Sequence, residues 1–339
     1  MSRILVILPN WYGETLFATP FLRALRRLRP DDHLAALGWP SCREVLQHNP
    51  DVDELLDYEE QGRHRGLRGA WRLVRSLRGG RFETAFILRR SLSRTTLLAL
   101  AGIPERIGFA NAKSGWLLTH RVRPPSPSLH KAATYLPLLS AIGGSASLEP
   151  YRYTVTEAER EDAKVLLRGA GVRDDRPFIV LHPGANWFHK RWPPERFAML
   201  GDRLSEQPGA QIVWTGGPQD GALIDGLRRA MRHPAIGLAG GTTFRQLAAC
   251  LERAQAVVAG DTGVLHLAAA LGRSVVALYG PTSPALTGPL GESRRTVVLH
   301  HPGCCPAIPC YRPDRPVHAG MRSLTVDEVH AAVCSLLHS

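Results

Sequence analysis

The sequence predicts an α/β protein built from two consecutive parallel sheets, each covered by helices. Two observations carry this prediction. Short apolar runs alternate with amphipathic stretches, and the alternation occurs twice, on either side of a proline- and serine-rich segment at residues 123–128. Helices that cross between strands on both faces are typical of parallel sheets. The length of 339 residues also fits two domains of roughly 100–200 residues each.

In the first half, the apolar run Ile4–Leu8 predicts a buried strand, and Pro9 and Gly13 mark the turn after it. A helix follows over Thr15–Leu28, with apolar residues every three or four positions. A helix-like stretch at His130–Ile142 closes this half. The remaining predicted strands are His33–Leu37, Thr84–Leu88 and Arg106–Phe109.

The second alternation begins near Pro150. We therefore expect one domain over residues 1–150, a second over 151–325, and a terminal helix within 326–339 that could pack back on the first domain. Ligands of open parallel sheets bind beyond the carboxyl ends of the strands, so a binding cleft is expected between the domains. The predicted strands are Phe178–Leu181, Gln211–Thr215, Ala256–Ala259 and Val275–Leu278; the predicted helices are Glu195–Ser205, Ala222–Met231, Phe244–Arg253 and Val326–Leu337.

The charge balance indicates anionic partners. The formal net charge is +12, and arginine dominates, because lysine occurs only at positions 113, 131, 164 and 190. The planar guanidinium binds phosphate and carboxylate in a forked geometry. Anionic substrates and an anionic membrane surface fit this composition, and so does a GC-rich genome without functional meaning. No nucleic-acid-binding motif accompanies the charge, so nucleic acid is not expected as a partner.

No apolar run reaches the ~18–20 residues of a membrane-spanning helix. The amino terminus lacks the long apolar stretch and cleavage site of a signal peptide, and we expect a cytoplasmic protein. The six cysteines do not form a disulfide framework. Cys304, Cys305 and Cys310 lie near His300 and His301, but their spacing fits no common zinc pattern. A plain loop is favoured there, and no metal is expected.

The segment Ala256–Gly272 predicts a phosphate site. A strand leads into Asp261, Thr262 and Gly263, and a helix begins directly afterwards. The first turn of a helix has unpaired N–H groups and a partial positive charge, which suits a phosphate or diphosphate. His266, three residues further, can face the same ligand. The alternative is that Asp261 or Thr262 only caps the helix and His266 packs nearby.

Two further segments place charged residues after strands. Lys190 and Arg191 precede a helix that opens at Pro193 or Pro194, where they could bind a diphosphate or remain solvated. Asp220 follows the turn Thr215–Pro218 and could bind a ribose hydroxyl or cap a helix.

Glu14 opens the first helix after the first strand. A carboxylate in this position could act as general base on an acceptor hydroxyl. Glutamate is also favoured in first helical turns for the dipole alone, and the segment leaves both interpretations open.

A run of arginines lies between Arg63 and Arg81. Those at positions 65, 68, 72 and 75 share one helical face. That face could hold an anionic acceptor or simply be solvated.

Taken together, these motifs resemble the ADP-heptose:lipopolysaccharide heptosyltransferases of glycosyltransferase family 9. The PNW motif at residues 9–11 is more similar to the enzyme that adds the second heptose than to the one that adds the first. The same holds for the spacing between PGA at 183–185 and KRWP at 190–193. The resemblance implies the GT-B fold, with two facing Rossmann-like domains and a cleft between them. The matching stretches, in order, are PNWYGETLFATPFLRAL, HPGANWFHKRWP, GGPQD, AGDTGVLHLAAALGRSVVALYGPTSP and MRSLTVDEV.

The resemblance also implies residue roles. Glu14 stands where the family usually has aspartate as the proposed catalytic base, and Lys190 matches the lysine that contacts the donor diphosphate. Gly320-Met321 lacks the final cysteine of the family's Cys-Met pair, which weakens a metal site further. The residues implied in donor binding are Ala185, Asn186, Lys190, Asp220, Asp261, Thr262, Gly263 and His266.

The implied activity is an inverting, metal-independent transfer of heptose from ADP-heptose to an anionic lipid A–Kdo or heptosylated core acceptor, without a cofactor. Peripheral contact with the inner face of the inner membrane is part of the same expectation. Two alternatives stay open. The chain could use another nucleotide sugar or acceptor, or it could bind a nucleotide sugar without catalysis.

Overall fold

The computed structural model describes residues 1–206, 210–303, 308–310 and 318–338. The chain divides into two compact units, Met1–Thr154 and Val155–Ser339. The first boundary lies four residues beyond the predicted position at 150, because residues 152 and 153 are tied to the first unit. Arg152 forms an ion pair with Asp51 at 2.8 Å, and the hydroxyl of Tyr153 donates to the carbonyl of Glu44 at 3.0 Å.

The first unit contains a six-stranded parallel sheet in the order β3-β2-β1-β4-β5-β6. Strand β1 is central and buried, and Ile4 to Ile7 pair in register with Thr84 to Ile87 of β4. This strand order is the Rossmann order, in which the chain reverses direction across the sheet between β1 and β4. The strands are β1 Arg3–Ile7, β2 His33–Gly38, β3 Glu54–Asp57, β4 Thr84–Ile87, β5 Glu105–Phe109 and β6 His120–Val122.

Four α-helices connect these strands: α1 Tyr12–Leu28, α2 Pro40–Leu46, α3 Gly66–Gly79 and α4 Leu92–Leu100. Helix α1 contains Pro20, which has no N–H for the carbonyl of Leu16. The hydroxyl of Thr19 donates to that carbonyl at 2.7 Å and so satisfies it. Helices α3 and α4 contribute Leu73, Val74, Leu77 and Leu98 to one core cluster of the unit.

The second unit repeats the same strand order, β9-β8-β7-β10-β11-β12, in another six-stranded parallel sheet. Here the reversal falls between β7 and β10. The strands are β7 Phe178–His182, β8 Gln211–Trp214, β9 Ile236–Gly237, β10 Ala256–Gly260, β11 Ser274–Tyr279 and β12 Thr296–His300. The two Rossmann-like sheets confirm the predicted α/β class.

The helices of the second unit are α5 Glu157–Gly169, α6 Pro194–Ser205, α7 Gly221–Ala230, α8 Phe244–Glu252, α9 Gly263–Ala270, α10 Pro284–Thr287, α11 Ala319–Ser323 and α12 Val326–Leu337. The terminal helix α12 lies in the second unit, and its expected packing on the first domain stays a prediction. Val329, Val333 and Leu336 of α12 belong to the core cluster of the second unit, together with Leu200 and Leu278.

The eight predicted strands are all present, with ends shifted by one residue at most. The helix-like stretch predicted at His130–Ile142 is helical, but it is not an α-helix. It is a run of 3-10 turns over Ala133–Ile142, and Pro137 within it cannot donate to an α-helical ladder. Four strands were not predicted: β3, β6, β9 and β12. Within the described ranges, no helix has both the length and the apolarity required to cross a membrane.

Candidate functional site

The candidate site of the second unit lies where the chain leaves β7 and β10. These neighbouring strands flank the reversal of the sheet. Lys190 ends a short 3-10 turn, Phe188–Lys190, in the loop after β7. Asp261 and Thr262 follow β10 directly, and α9 begins at Gly263. Ligands of Rossmann-like sheets bind at this position.

Lys190, Asp261 and His266 form one connected group. The Nζ atom of Lys190 donates to Oδ2 of Asp261 at 2.7 Å and also lies 3.3 Å from the Asp261 carbonyl oxygen. Nε2 of His266 lies 3.4 Å from Oδ1 of the same carboxylate. Both Asp261 and His266 are buried, whereas the lysine side chain is 22% exposed. A ligand can therefore reach the ammonium group.

The electrostatics of Asp261 favour its charged form. Burial alone would raise its pKa, but the hydrogen bond from His266 and the charge of Lys190 outweigh this effect and hold the pKa of Asp261 well below its ordinary value. The carboxylate therefore remains available to orient Lys190. Sequence reasoning assigned both residues to the donor site, and the structure brings them together.

Thr262 occupies the N-cap position of α9 with extended backbone, but its hydroxyl makes no capping hydrogen bond. The Oγ1 atom is buried without a hydrogen-bond partner among the described residues. The same holds for Oγ1 of Thr282, which follows the adjacent strand β11. Buried hydroxyls usually have partners, so these two, at the carboxyl ends of neighbouring strands, are available to water or to a polar ligand. The sequence did not single out Thr282, although this residue lies in the matching stretch AGDTGVLHLAAALGRSVVALYGPTSP.

Arg191 builds the loop after β7. Its guanidinium donates to the carbonyl oxygen of Ala185 at 3.1 and 2.9 Å and lies 3.4 Å from Oδ1 of Asp220. Asp220 is buried, and its Oδ2 accepts from the N–H of Gly217 at 3.0 Å. The Asp220 carboxylate therefore both caps a turn and pairs with Arg191. Its contact with a ribose hydroxyl stays a prediction.

His182, the last residue of β7, is a buried histidine with a neutral ring. Its Nδ1 lies 3.0 Å from Oγ1 of Thr215, which follows β8. Burial lowers the pKa of His182 to about 4, an effect that the nearby Asp220 opposes. The ring links the ends of two adjacent strands beneath the loop that carries Ala185 and Lys190. The sequence indicated the turn at His182 but not this link.

Gly260, the last residue of β10, allows the loop that carries Lys190 to approach closely. A Cβ atom on this residue would lie 2.9 Å from the backbone oxygen of Lys190. Real Cβ atoms do not sit so close to a backbone oxygen, so a larger residue would displace the loop. This contact explains the glycine before Asp261, and only the three-dimensional structure shows it.

The first unit has a pocket of about 380 Å³ at the corresponding point of its own sheet. Glu14 follows β1, Arg89 and Arg90 follow β4, and Tyr135 also lines the pocket. Glu14 lies in the first turn of α1, but the structure gives it no hydrogen bond or ion pair with any described residue. Burial and the charge of Glu14 raise the pKa of Tyr135 far above its ordinary value, so its phenol stays protonated.

Beneath this pocket lies a buried arginine that sequence reasoning missed. Arg94 donates to the carbonyl oxygen of Leu8 at 2.8 Å and to the side-chain oxygen of Asn10. Its guanidinium also lies 5.2 Å from the ring of Tyr58, and no carboxylate in the described ranges forms an ion pair with it. Arg94 therefore holds the segment from Leu8 to Asn10, which leads to Glu14.

The predicted donor-site residues thus fall into two groups. Lys190, Asp261, Thr262, Gly263 and His266 lie at the β7 and β10 ends, and Ala185 and Asp220 are joined through Arg191. Asn186 is exposed and makes no hydrogen bond with the described part of the chain. Cys304 and Cys305 lie outside the described residues, and Cys310 is buried.

Two Rossmann-like units with this strand order form the GT-B fold, which the chain shares with solved heptosyltransferases. The chain belongs to glycosyltransferase family 9 (heptosyltransferase), whose model matches residues 70–311.

Individual relatives agree with this assignment. The chain is 28% identical over 307 residues to lipopolysaccharide heptosyltransferase 2 of Salmonella typhimurium, covering 88% of each. It is 34% identical over 330 residues to lipopolysaccharide heptosyltransferase 1 of Pseudomonas aeruginosa, covering 91% of this chain and 86% of the relative. The structure of E. coli ADP-heptose lps heptosyltransferase II is similar with a TM-score of 0.83 and 26% identity, covering 99% of this chain and 98% of that one.

Proposed function

We propose that the chain transfers heptose from ADP-heptose to the inner core of a lipopolysaccharide acceptor, with inversion at the anomeric carbon and without a metal ion. The observation that carries the proposal is the Lys190–Asp261 pair at 2.7 Å beside the unpaired hydroxyl of Thr262. The relatives bear heptosyltransferase names, and one solved relative is named for ADP-heptose.

This geometry supports a donor site at the end of β10. The diphosphate binds at the N-terminus of α9, where N–H groups and the helix dipole attract anions. Thr262 and Thr282 donate their hydroxyl hydrogens to phosphate oxygens. Lys190, oriented by Asp261, contacts the phosphate oxygen that gains negative charge as its bond to the sugar breaks. Such preorganised charge acts mainly in the transition state.

The acceptor end lies in the pocket of Glu14. The carboxylate takes the proton of an acceptor hydroxyl, and that oxygen forms the new bond to the anomeric carbon. The bond between this carbon and the phosphate oxygen breaks, and ADP leaves with the electron pair. A single in-line displacement inverts the configuration. Arg89 and Arg90 at the pocket suit an acceptor that carries carboxylates or phosphates.

The test is Glu14→Gln in a transfer assay with ADP-heptose and a heptosylated lipid A–Kdo acceptor. The amide cannot accept a proton, so turnover should fall ~100- to 10,000-fold, with ADP-heptose affinity nearly unchanged. Glu83→Gln is the matched control, because Glu83 directly precedes β4 and so lies at the opposite end of the same sheet.

Glu14→Asp restores the residue that the family usually has and should keep measurable transfer. Near-normal turnover in Glu14→Gln would place the base elsewhere. A wild-type chain that binds ADP-heptose but forms no product with any core acceptor would favour a binding protein without catalysis.

A further inference from the structure

Helix α3 of the first unit presents an outward basic face that the proposed reaction does not use. We define this face as Leu67, Arg68, Trp71, Arg72, Arg75 and Arg78, all of which are exposed. The opposite side of the helix carries Leu73, Val74 and Leu77, which are buried in the core cluster on the sheet. The basic face is therefore not needed to hold the helix in place.

The charge on this face has no acidic counterpart. Residues 61–82 contain seven arginines and no aspartate or glutamate. Arg63 pairs with Asp57 and Glu59, but none of the four arginines of the basic face forms an ion pair within the described ranges. Arg72 and Arg78 donate only to backbone carbonyls, those of Arg63 and Leu100. The four guanidinium groups therefore remain available to an external anion, and phosphate suits their forked geometry.

Two large apolar side chains lie among these charges. Leu67 is 90% exposed and Trp71 is 51% exposed, and they are one helical turn apart. The guanidinium of Arg78 lies 5.7 Å from the centre of the Trp71 ring. A purely solvated basic helix has no need for these residues. They add apolar area where the arginines attract anions.

We propose that the basic face of α3 binds the surface of an anionic lipid bilayer. Arginines contact phosphate head groups, while tryptophan and leucine enter the boundary between head groups and acyl chains, as in interfacial amphipathic helices. The 14 residues of α3 span about 21 Å along the bilayer surface. This proposal goes beyond the proposed reaction, because it holds whichever sugar is transferred, and vesicle binding tests it without the transfer assay.

The first experiment is flotation with lipid vesicles. The chain should bind vesicles of phosphatidylcholine with about three parts in ten of phosphatidylglycerol, and not vesicles of phosphatidylcholine alone. Each arginine near an anionic surface contributes roughly a fivefold gain in partitioning. The triple variant Arg68→Gln, Arg72→Gln, Arg75→Gln should therefore lose about a hundredfold.

The matched control removes the same net charge from exposed arginines outside α3: Arg29→Gln, Arg176→Gln, Arg229→Gln. It should lose little binding. The charge-preserving variant Arg68→Lys, Arg72→Lys, Arg75→Lys should keep most of it, which guards against loss of folding. Leu67→Ala with Trp71→Ala should lower partitioning severalfold at unchanged net charge.

Three results would overturn the proposal. The control triple variant could lose as much binding as the α3 variant, which would mean that net charge alone decides. Neutral vesicles could bind as well as anionic ones. The α3 variant could raise the KM for a water-soluble core oligosaccharide while vesicle binding persists, which would assign the basic face to the acceptor instead.

Discussion

Asp261 holds a proton donor at each of its two carboxylate oxygens. Lys190 contacts Oδ2 and His266 contacts Oδ1, in a buried position directly before α9. The lysine therefore has two separable roles: it stabilises a buried carboxylate, and in the proposed mechanism it stabilises the leaving diphosphate. A variant that changes only one role distinguishes them.

Lys190→Ala should lower kcat about a hundredfold, equivalent to ~3 kcal/mol of transition-state stabilisation. It should also lower the free energy of unfolding by about 1–3 kcal/mol, because Asp261 loses a charged partner in a buried site, part of which solvent screens. The double variant Lys190→Ala, Asp261→Asn should regain thermal stability without regaining turnover. Recovery of kcat in the double variant would contradict the role of the lysine charge.

His182 links pH to the stability of the second unit. Its pKa is about 4 in the folded chain against an ordinary 6.5, so between these values the unfolded chain binds a proton that the folded chain does not. The contribution of His182 to the free energy of unfolding is therefore fully present above about pH 6.5 and is lost as the pH falls towards 4. The loss from this group reaches about 3 kcal/mol.

His182→Asn keeps a side-chain amide near Thr215 and removes the titration. Thermal unfolding between pH 7.5 and about 4.5 should show a weaker acid loss in this variant than in the wild type. Equal acid dependence in both chains would remove His182 from the explanation.

At the scale of elements, the sequence predicts the inner strands and misses the outer ones. The four strands that were not predicted, β3, β6, β9 and β12, are the two edges of each sheet. Inner strands are covered on both faces and appear as continuous apolar runs, whereas edge strands are short or half-exposed. Glu54–Asp57 and His120–Val122 carry charged residues, and Ile236–Gly237 has two residues, so periodicity cannot identify them.

The residues of the candidate site also divide into those that the sequence predicts and those that it does not. Helix-terminus chemistry predicts Asp261, Thr262, His266 and Lys190, because strand, turn and helix follow one another in the sequence. The contacts of Arg94, Thr282 and His182 join residues from different elements. No local pattern encodes such contacts, and only the fold brings these residues together.

Gly260, at the end of β10, packs against the loop that carries Lys190. Gly260→Ala places a Cβ atom 2.9 Å from the Lys190 carbonyl oxygen and must move the loop. Because misplacement of a catalytic group by about 1 Å can cost up to ~100-fold in rate, kcat should fall roughly ten- to a hundredfold. The control is Gly226→Ala in α7, where a Cβ atom meets open space and should be neutral or slightly stabilising. Equal kinetics in both variants would show that the loop tolerates the shift.

At the scale of the whole molecule, charges of the protein stabilise the leaving ADP in the proposed mechanism. In the part of the chain that the structure describes, no group of three or more His, Cys, Asp or Glu side chains is arranged to hold a metal ion. If the proposed mechanism holds, transfer should persist at full rate after dialysis against EDTA, measured as ADP release with the core acceptor. Loss of activity that Mg²⁺ or Mn²⁺ restores would contradict the mechanism.

The pairing of Lys190 with Asp261, and of Arg191 with Asp220, leaves the proposed donor site close to electrically neutral in a chain whose net charge is +12. A neutral site attracts anions weakly over long distances, so it selects by the placement of its donors rather than by charge. Inorganic phosphate, present in any cell at high concentration, should therefore compete poorly with the nucleotide sugar. The donor KM should also change little with ionic strength, whereas contacts made by the unpaired arginines of the first unit weaken as salt rises.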